Sequence, residues 1–311
     1  MKLITESQIA KVTHWPLIID ALRAGHLLEP AKLGDTLLSE GDRKMLVRSA
    51  WVPGVGAGVK AVTVFPDNPA RSPSLPSVQG QVLLFDRETG AIAASLPGEP
   101  ITQWKTAGDS ALGSQLLSRP DSRVMLMIGA GAMAEPLIRA HLSVRPAIAS
   151  VLLFNRSAPR VGELARRLTD LAPQVSVVTD LAQAVARADI VCCATLSVDP
   201  LIEGRWLKPG THVDLVGAYT PQMREADDAV LQRSRVFVDS FETTVGHIGE
   251  IQIPLDSGAL RLADIQGDLY ALVQGRQARN HADEITVFKN GGGAHLDVIV
   301  ASAIAAAATT D

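Results

Sequence analysis

The fold is decided by the stretch Ser122-Arg123-Val124-Met125-Leu126-Met127-Ile128-Gly129-Ala130-Gly131-Ala132-Met133-Ala134. The apolar run before the glycines predicts a buried strand, and the residues after them predict a helix from Ala132 to about Ser143. The pattern G-x-G-x-x-A therefore stands at a strand-to-helix turn, where glycines let the backbone approach a pyrophosphate at the helix N-terminus. This context favours a dinucleotide-binding turn over a glycine-rich turn without a ligand, with contacts from Gly129, Gly131, Ala132 and Met133.

Strands and helices continue to alternate on the C-terminal side of this turn. A helix is predicted at Arg160–Leu171, and helical segments separate most of the later strands. Such alternation implies a parallel sheet with helices on both faces, so we expect an α/β, doubly wound Rossmann domain over residues 121–290. The further predicted strands are Ser150–Phe154, Val175–Val178, Ile190–Ala194, His212–Val216 and Val236–Asp239.

The residues before this domain have a different pattern and predict an α+β segment. A strand is expected at Val59–Val64, and Gln81–Phe85 and Ile92–Leu96 are expected to pair as a hairpin across the turn Asp86–Gly90. The sequence Arg119-Pro120-Asp121 predicts a domain boundary. At the C-terminal end we expect a strand, the turn Gly291-Gly292-Gly293 and a closing helix.

Composition excludes several classes of function. The chain has 311 residues, 47% of them hydrophobic, and a net charge of −4, which indicates two globular domains and no nucleic-acid partner. A polar N-terminus and the lack of a long apolar run predict a cytoplasmic protein without a membrane span. Cys192 and Cys193 are expected to be core thiols, and the seven histidines lack metal-ligand spacing, so no metal is expected.

The residues after the second predicted strand select the cofactor. NAD enzymes usually have an acidic residue there for the ribose hydroxyls, whereas this chain has Asn155-Arg156-Ser157. Arg156 can stack on adenine and pair with a 2′-phosphate, to which Asn155 and Ser157 can donate hydrogen bonds. We therefore expect NADPH, with NADH less favoured. The alternative is that Arg156 is a solvated loop residue.

Four segments outside this core, together with the Rossmann residues, carry a resemblance to a known family. In order and spacing the sequence resembles the ornithine cyclodeaminase/mu-crystallin family. The resemblance implies a homodimer in which a substrate-binding and dimerisation domain (residues 1–120 and 291–311) carries an inserted NADP-binding domain (residues 121–290). The segments are Gly58-Val59-Lys60 leading to Phe65-Pro66-Asp67-Asn68, Leu75-Pro76-Ser77-Val78-Gln79-Gly80, Ile101 to Leu112 and Thr286-Val287-Phe288-Lys289-Asn290.

The resemblance also implies how a substrate carboxylate is bound. Lys60 matches the family lysine that binds it, and Lys105 falls where most members have an arginine. A lysine keeps the charge of that arginine and loses its bidentate geometry. Arg48 stands where relatives have an apolar residue, so it either restores a guanidinium to the site or is a solvated charge.

Tyr219 is the most informative departure from the family. The cyclodeaminases and several dehydrogenases have an aspartate at this position, which handles protons during cyclodeamination. A phenol with a pKa of about 10 is a poor base at neutral pH and could only donate a proton or a hydrogen bond. Reduction of an imine requires less proton transfer, so Tyr219 favours a reductase.

The remaining family positions are contacts with cofactor and substrate. Gly291 would lie beside the substrate, although a flexible connector at residues 291–293 is the alternative. His295 on the closing helix could reach the active site, but we expect it on the helix surface. The implied cofactor contacts are Ser77, Thr195, Val216, Gly217 and Asn290.

Three functions follow as hypotheses. The leading one is NADPH-dependent reduction of a small cyclic imino acid, Δ1-pyrroline-2-carboxylate or Δ1-piperideine-2-carboxylate, to L-proline or L-pipecolate. The second is ornithine cyclodeaminase or amino-acid dehydrogenase activity. The third is a non-catalytic protein that binds a ligand with NADPH, as the resemblance to mu-crystallin permits.

Overall fold

A computed structural model describes residues 1–308, and none of the helices in this range combines the length and the hydropathy of a membrane span. The first part of the chain forms β1 (Lys2–Leu3), α1 (Glu6–Val12), α2 (Trp15–His26), β2 (Lys32–Glu40), β3 (Arg43–Val52), β4 (Gly56–Val64), β5 (Val78–Phe85), β6 (Ile92–Pro97) and α3 (Gly98–Leu117). The rest forms β7 (Val124–Ile128), α4 (Ala134–Val144), β8 (Ser150–Phe154), α5 (Ala158–Arg167), β9 (Gln174–Val177), α6 (Leu181–Arg187), β10 (Ile190–Cys193), β11 (His212–Leu215), α7 (Asp228–Gln232), β12 (Ser234–Val238), α8 (Phe241–Thr244), α9 (Gly249–Ser257), β13 (Ile265–Gly267), α10 (Leu269–Val273), β14 (Ile285–Lys289) and α11 (Ala294–Ala307).

The first compact unit contains Met1–Thr106 and the chain from Gly292 onward. Its six-stranded sheet has the order β1-β6-β5-β4-β3-β2, in which β1 is parallel to β6 and the other pairs are antiparallel. The predicted β5–β6 hairpin is confirmed. The long β2–β3 hairpin was not predicted, although Gly41-Asp42 between its strands is a short turn signal, because most of its side chains are exposed and lack a clear alternation.

The closing helix α11 packs on this sheet and on α2. Gly25 of α2 allows the close approach, since a Cβ there would lie 2.5 Å from the Ile299 side chain. Nearly every side chain in the first two turns of α11 is buried, including those of His295 and Asp297, which are each 1% exposed. The expectation that His295 lies on a helix surface is therefore wrong. The sequence predicted this helix, but its alanine-rich composition did not indicate that more than one of its faces is covered.

The second unit, Ala107–Gly291, contains an eight-stranded sheet in the order β13-β12-β14-β11-β10-β7-β8-β9. All its strand pairs are parallel, and its central strands are buried except for Val124 at the start of β7. The predicted α/β fold with a doubly wound sheet is confirmed. Because β7 lies between β8 and β10, the winding direction reverses there, and ligands of such sheets bind at this point beyond the carboxyl ends of the strands.

The division between the units falls inside α3, after Thr106, instead of at Arg119-Pro120-Asp121. The C-terminal half of α3 belongs to the second unit because its polar groups are satisfied there. Ser110 donates a hydrogen bond to Asp214 (3.0 Å), and Arg145 donates to the carbonyls of Ser114 and Ser118. The proline therefore follows the end of α3 at Leu117, and the end of this helix does not coincide with the division between the units.

Candidate active site

The glycine turn (residues 129–134) follows β7 and leads into α4. Gly129 has φ +108°, and a Cβ at this position would lie 2.5 Å from the carbonyl oxygen of Ala194. Gly131 has no atom within 4 Å of its Cβ position, so its backbone is open to a ligand. Ala132 is exposed beside it, and Met133 is the N-cap of α4. The turn can therefore hold a pyrophosphate against the helix N-terminus.

A cleft of about 270 Å³ opens beside the glycine turn. Its lining includes predicted cofactor contacts that follow three different strands. These are Gly129 and Gly131 after β7, Asn155 and Arg156 after β8, and Thr195 after β10. Phe154, Leu196 and Leu201 form the apolar part of the wall of the cleft. A cleft with an apolar wall, an exposed arginine and a glycine turn fits the adenosine and pyrophosphate of a nicotinamide dinucleotide.

Glu225 connects two of the predicted cofactor residues. Its Oε1 accepts hydrogen bonds from Thr195 N (2.7 Å) and Thr195 Oγ1 (2.9 Å), and its Oε2 accepts one from Gly217 N (2.7 Å). Gly217 is required for this approach because a Cβ there would lie 2.0 Å from the Thr195 carbonyl oxygen. The carboxylate thus holds the loops after β10 and β11 together. Sequence analysis missed Glu225, since no local pattern marks it.

A second buried carboxylate, Glu250, supports Glu225. It accepts hydrogen bonds from the backbone N–H groups of Glu225 (2.7 Å) and Ala226 (3.0 Å). Burial, and next the charge of Glu225, raise the pKa of Glu250 to about 7, while Lys289 acts in the opposite direction. Burial also raises the pKa of Glu225. The pair therefore retains a proton at pH values where exposed glutamates are ionised.

This raised pKa predicts that stability falls as the pH rises. Between the ordinary value of 4.5 and about 7, the unfolded chain releases the Glu250 proton and the folded protein keeps it. The stabilisation is complete below pH 4.5 and is lost as the pH passes 7. In Glu250→Gln this contribution is absent, so its free energy of unfolding should decrease less than that of the wild type between pH 5 and pH 8.

Urea unfolding at a series of pH values measures the effect. Glu242→Gln, which removes an exposed carboxylate from the same unit, is the matched control. Parallel pH profiles for Glu250→Gln and the wild type would contradict the assignment.

Asn290 follows β14 and is fixed by a buried polar network. Its Nδ2 donates to Ser110 Oγ (3.1 Å), which donates to Asp214 Oδ1, and Cys192 Sγ donates to Asp214 Oδ2 (3.1 Å). Burial raises the pKa values of Asp214 and of the Cys192 thiol. Cys192 and Cys193 are both fully buried, as expected for core thiols.

The first unit gathers the positive charges that the resemblance assigned to the substrate. Arg48 of β3 lies directly opposite Lys60 of β4, and Arg48 Nη1 and Lys105 Nζ both donate to the carbonyl of Gly292, at 2.7 and 2.6 Å. Lys60 and Lys105 are 6% and 3% exposed. Arg48 belongs to the cluster through the Gly292 carbonyl, and because its side chain also pairs with Asp35 (2.8 Å) and is 18% exposed, it is not a solvated charge. Lys105 lies inside α3.

Asp297 of α11 is the counter-ion of this cluster. Its Oδ1 accepts a hydrogen bond from Lys60 Nζ (2.8 Å), and its Oδ2 lies 3.8 Å from Lys105 Nζ. Burial acts to raise the pKa of Asp297, but the charges of Lys105 and Lys60 outweigh it and hold the pKa below its ordinary value. The ionised carboxylate therefore fixes both ammonium groups. Sequence analysis missed Asp297, for which the only available signal was an acidic residue in an otherwise apolar helix.

The contacts of the remaining predicted site residues say less about their roles. Tyr219 lies in the loop after β11 with a side chain 65% exposed and no hydrogen bond within residues 1–308.

Val216 N donates to the Cys193 carbonyl, and Ser77 lies in the first unit, where its carbonyl accepts from Phe65 N. A Cβ on Gly291 would lie 2.9 Å from Asp239 Oδ1. Ser157 is the N-cap of α5, and its carbonyl accepts from Asn155 Nδ2 (3.1 Å).

A doubly wound sheet with this glycine turn and cleft defines the class of nicotinamide-dependent oxidoreductases. The profile of the ornithine cyclodeaminase/mu-crystallin family matches residues 36–310. The chain belongs to this family, which confirms the resemblance found in the sequence, and it is an NAD(P)H-dependent imine oxidoreductase.

Individual relatives are similar over most of the chain. The Δ1-pyrroline-2-carboxylate reductase of Paracoccus denitrificans is 48% identical over 292 residues, covering 94% of this chain and 92% of that protein. The ketimine reductase mu-crystallin of Mus musculus is 32% identical, covering 74% and 70%. The structure of Thermococcus litoralis Δ1-pyrroline-2-carboxylate reductase in complex with NADH and L-proline has a TM-score of 0.92 at 28% identity, covering 100% and 98%.

Proposed function

We propose that the protein reduces a cyclic ketimine carboxylate with NADPH. The substrates are Δ1-pyrroline-2-carboxylate, Δ1-piperideine-2-carboxylate or both, and the products are L-proline and L-pipecolate. The observation that carries the proposal is the cluster of the buried Lys60 and Lys105 with the half-buried Arg48, whose three positive charges exceed the two negative charges of their partners Asp297 and Asp35. Such a cluster suits a small carboxylate. Relatives named for this chemistry support the same substrate class.

In this proposal the two units bind different molecules, one the substrate and the other the cofactor. The first, corresponding to the predicted residues 1–120 and 291–311, binds the substrate carboxylate through Lys60 and Lys105. The second, corresponding to residues 121–290, binds the cofactor at the glycine turn. The cofactor supplies a hydride, which adds to the carbon of the protonated C=N bond and leaves a secondary amine. Asp297 holds the lysine side chains in position, so that they orient the reactive carbon.

Two other activities make different demands on the site. Cyclodeamination or amino-acid dehydrogenation needs a group that accepts protons near the reacting amine, and the family aspartate is replaced here by Tyr219, whose phenol is a poor base. A ligand-binding protein without catalysis would use the same carboxylate cluster. Charge alone does not distinguish that function from catalysis, whereas turnover does.

The decisive experiment is a kinetic assay with purified protein. Cyclic ketimines are incubated with NADPH or NADH, and oxidation of the cofactor is followed by its absorbance. We expect saturable reduction of at least one five- or six-membered ketimine carboxylate and no release of ammonia from L-ornithine. Binding without turnover would support the ligand-binding alternative, and ammonia release would support the cyclodeaminase.

We also propose that NADPH is preferred to NADH. Arg156 is exposed at the cleft and forms no hydrogen bond or ion pair within residues 1–308, so its guanidinium is available to a 2′-phosphate. Asn155 replaces the acidic residue that would repel that phosphate. The structure of the Thermococcus litoralis relative contains NADH, so this preference is a specific property to be tested in the present chain.

The first unit further suggests a homodimer. The edge strand β2 and its neighbour β3 expose Leu38, Met45 and Trp51, with 58%, 40% and 61% of their surfaces accessible. Leu38 and Met45 are directly paired in the sheet, and Trp51 shares the face of Met45 because its position differs by an even number of residues. An apolar edge of this kind is usually covered, and a second copy of the chain is the proposed cover.

We therefore expect a dimer in sedimentation experiments at micromolar concentration. The double variant Leu38→Asp/Met45→Asp should sediment as a monomer, because it places charges on the apolar face. Leu262→Asp, at an exposed leucine of the second unit, should leave the association unchanged. A monomeric wild-type protein would contradict the proposal.

A further inference from the structure

Arg160 lines two adjoining cavities of the second unit. One is the cleft of about 270 Å³ that also includes Arg156. The other has a volume of about 230 Å³ and is formed by Arg160, Glu163, Arg167 and the glycine turn. Since both cavities contain the turn and Arg160, the Arg160 side chain lies where they meet. Sequence analysis did not assign Arg160 any role.

Arg160 is exposed and forms no hydrogen bond or ion pair within the described residues, whereas Arg167 on the same helix pairs with Glu135 at 3.3 Å. Arg160 also lies in the first turn of α5, which has no acidic side chain in that turn. A cation at a helix N-terminus is disfavoured by the helix dipole. An anion bound in the cleft would offset this unfavourable placement.

The position of Arg160 indicates which part of the cofactor it contacts. In doubly wound folds the ribose of the adenosine is bound at the end of the second strand, which here is the end of β8. Asn155 and Arg156 follow that strand, and Arg160, four residues after Arg156 in the first turn of α5, lies on the wall of the same cleft. Ser157 is the N-cap of α5 but makes no side-chain cap hydrogen bond, which leaves its hydroxyl free to donate.

We infer that Arg160 binds the 2′-phosphate of NADPH jointly with Arg156 and is a second residue that determines the choice between NADPH and NADH. A phosphate monoester carries close to two negative charges at neutral pH, so two guanidinium groups match its charge better than one. The inference rests on the proposed preference for NADPH. It adds that Arg156 alone does not account for that preference.

Binding measurements test the inference without relying on turnover. NADPH and NADH are titrated against the wild type, Arg160→Ala, Arg156→Ala and, as a matched control on the same helix, Arg166→Ala, with the fluorescence of the reduced cofactor as the signal. Arg160→Ala should weaken NADPH binding by about tenfold to a hundredfold and change NADH binding by less than about twofold. Displacement by 2′,5′-ADP should weaken in parallel, whereas displacement by 5′-ADP should not. Circular dichroism confirms that each variant is folded.

The possible results of these titrations lead to different conclusions. Equal weakening of NADPH and NADH in Arg160→Ala would overturn the inference and place Arg160 at the pyrophosphate. If Arg156→Ala loses the preference for NADPH and Arg160→Ala keeps it, the inference is also overturned, while the proposed use of NADPH stays intact. If the wild-type protein binds both cofactors equally well, the preference for NADPH itself fails, and the inference fails with it.

Discussion

Replacing Lys60 with Met is expected to lower kcat/KM for the ketimine by about 100-fold or more while NADPH binding is retained. A charged hydrogen bond contributes about 1.5–3 kcal/mol, and the loss of orientation at the reacting carbon adds to this. Lys105→Met should have an effect of similar size, because both ammonium groups flank Asp297. Steady-state kinetics and a separate cofactor titration distinguish the loss of substrate binding from the loss of cofactor binding.

Lys44→Met is the matched control, since Lys44 is an exposed lysine on the strand next to that of Lys60. Thermal unfolding of each variant checks the fold, because Lys60 is a buried partner of Asp297. If Lys105→Met weakens NADPH binding instead, Lys60 remains as the only lysine anchor of the carboxylate. Near-normal turnover in Lys60→Met would remove the imino-acid proposal and leave an oxidoreductase whose substrate is unknown.

The second large effect is expected at the cofactor. The double variant Asn155→Asp/Arg156→Ala should abolish or reverse the preference for NADPH, because the new carboxylate repels the 2′-phosphate and the guanidinium partner is lost. Removal of one charged hydrogen bond and introduction of a like charge together predict a change of about 100-fold or more in the ratio of kcat/KM for the two cofactors. The ratio is measured at saturating ketimine.

Arg123→Ala, which removes an exposed arginine from the same unit, is the control. An unaltered protein that uses both cofactors with equal efficiency would contradict the argument before any variant is made. A double variant that loses activity with both cofactors, without a change in their ratio, would show that these residues act on the fold and not on the phosphate.

Several parts of the molecule could be predicted from local sequence. The strand β7, the glycine turn and the start of α4 occupy adjacent residues, so their apolar run, backbone requirement and helical period can be recognised together. The β5–β6 hairpin could be predicted for the same reason, since Asp86 and Gly90 mark its turn. The β2–β3 hairpin was missed because a strand with many exposed side chains has no strong alternation.

The sequence by itself therefore determined the order of the Rossmann elements, the position of the glycine turn and the lysines that the family uses. Only the tertiary structure decided how those lysines are held, because Lys60 and Asp297 are 237 residues apart in the chain. It also decided that Arg48 joins the cluster and that Glu225 ties Thr195 to Gly217. Local patterns encode backbone conformation within a few residues. Burial and charge pairing depend on which distant segments pack together, and no local pattern contains that information.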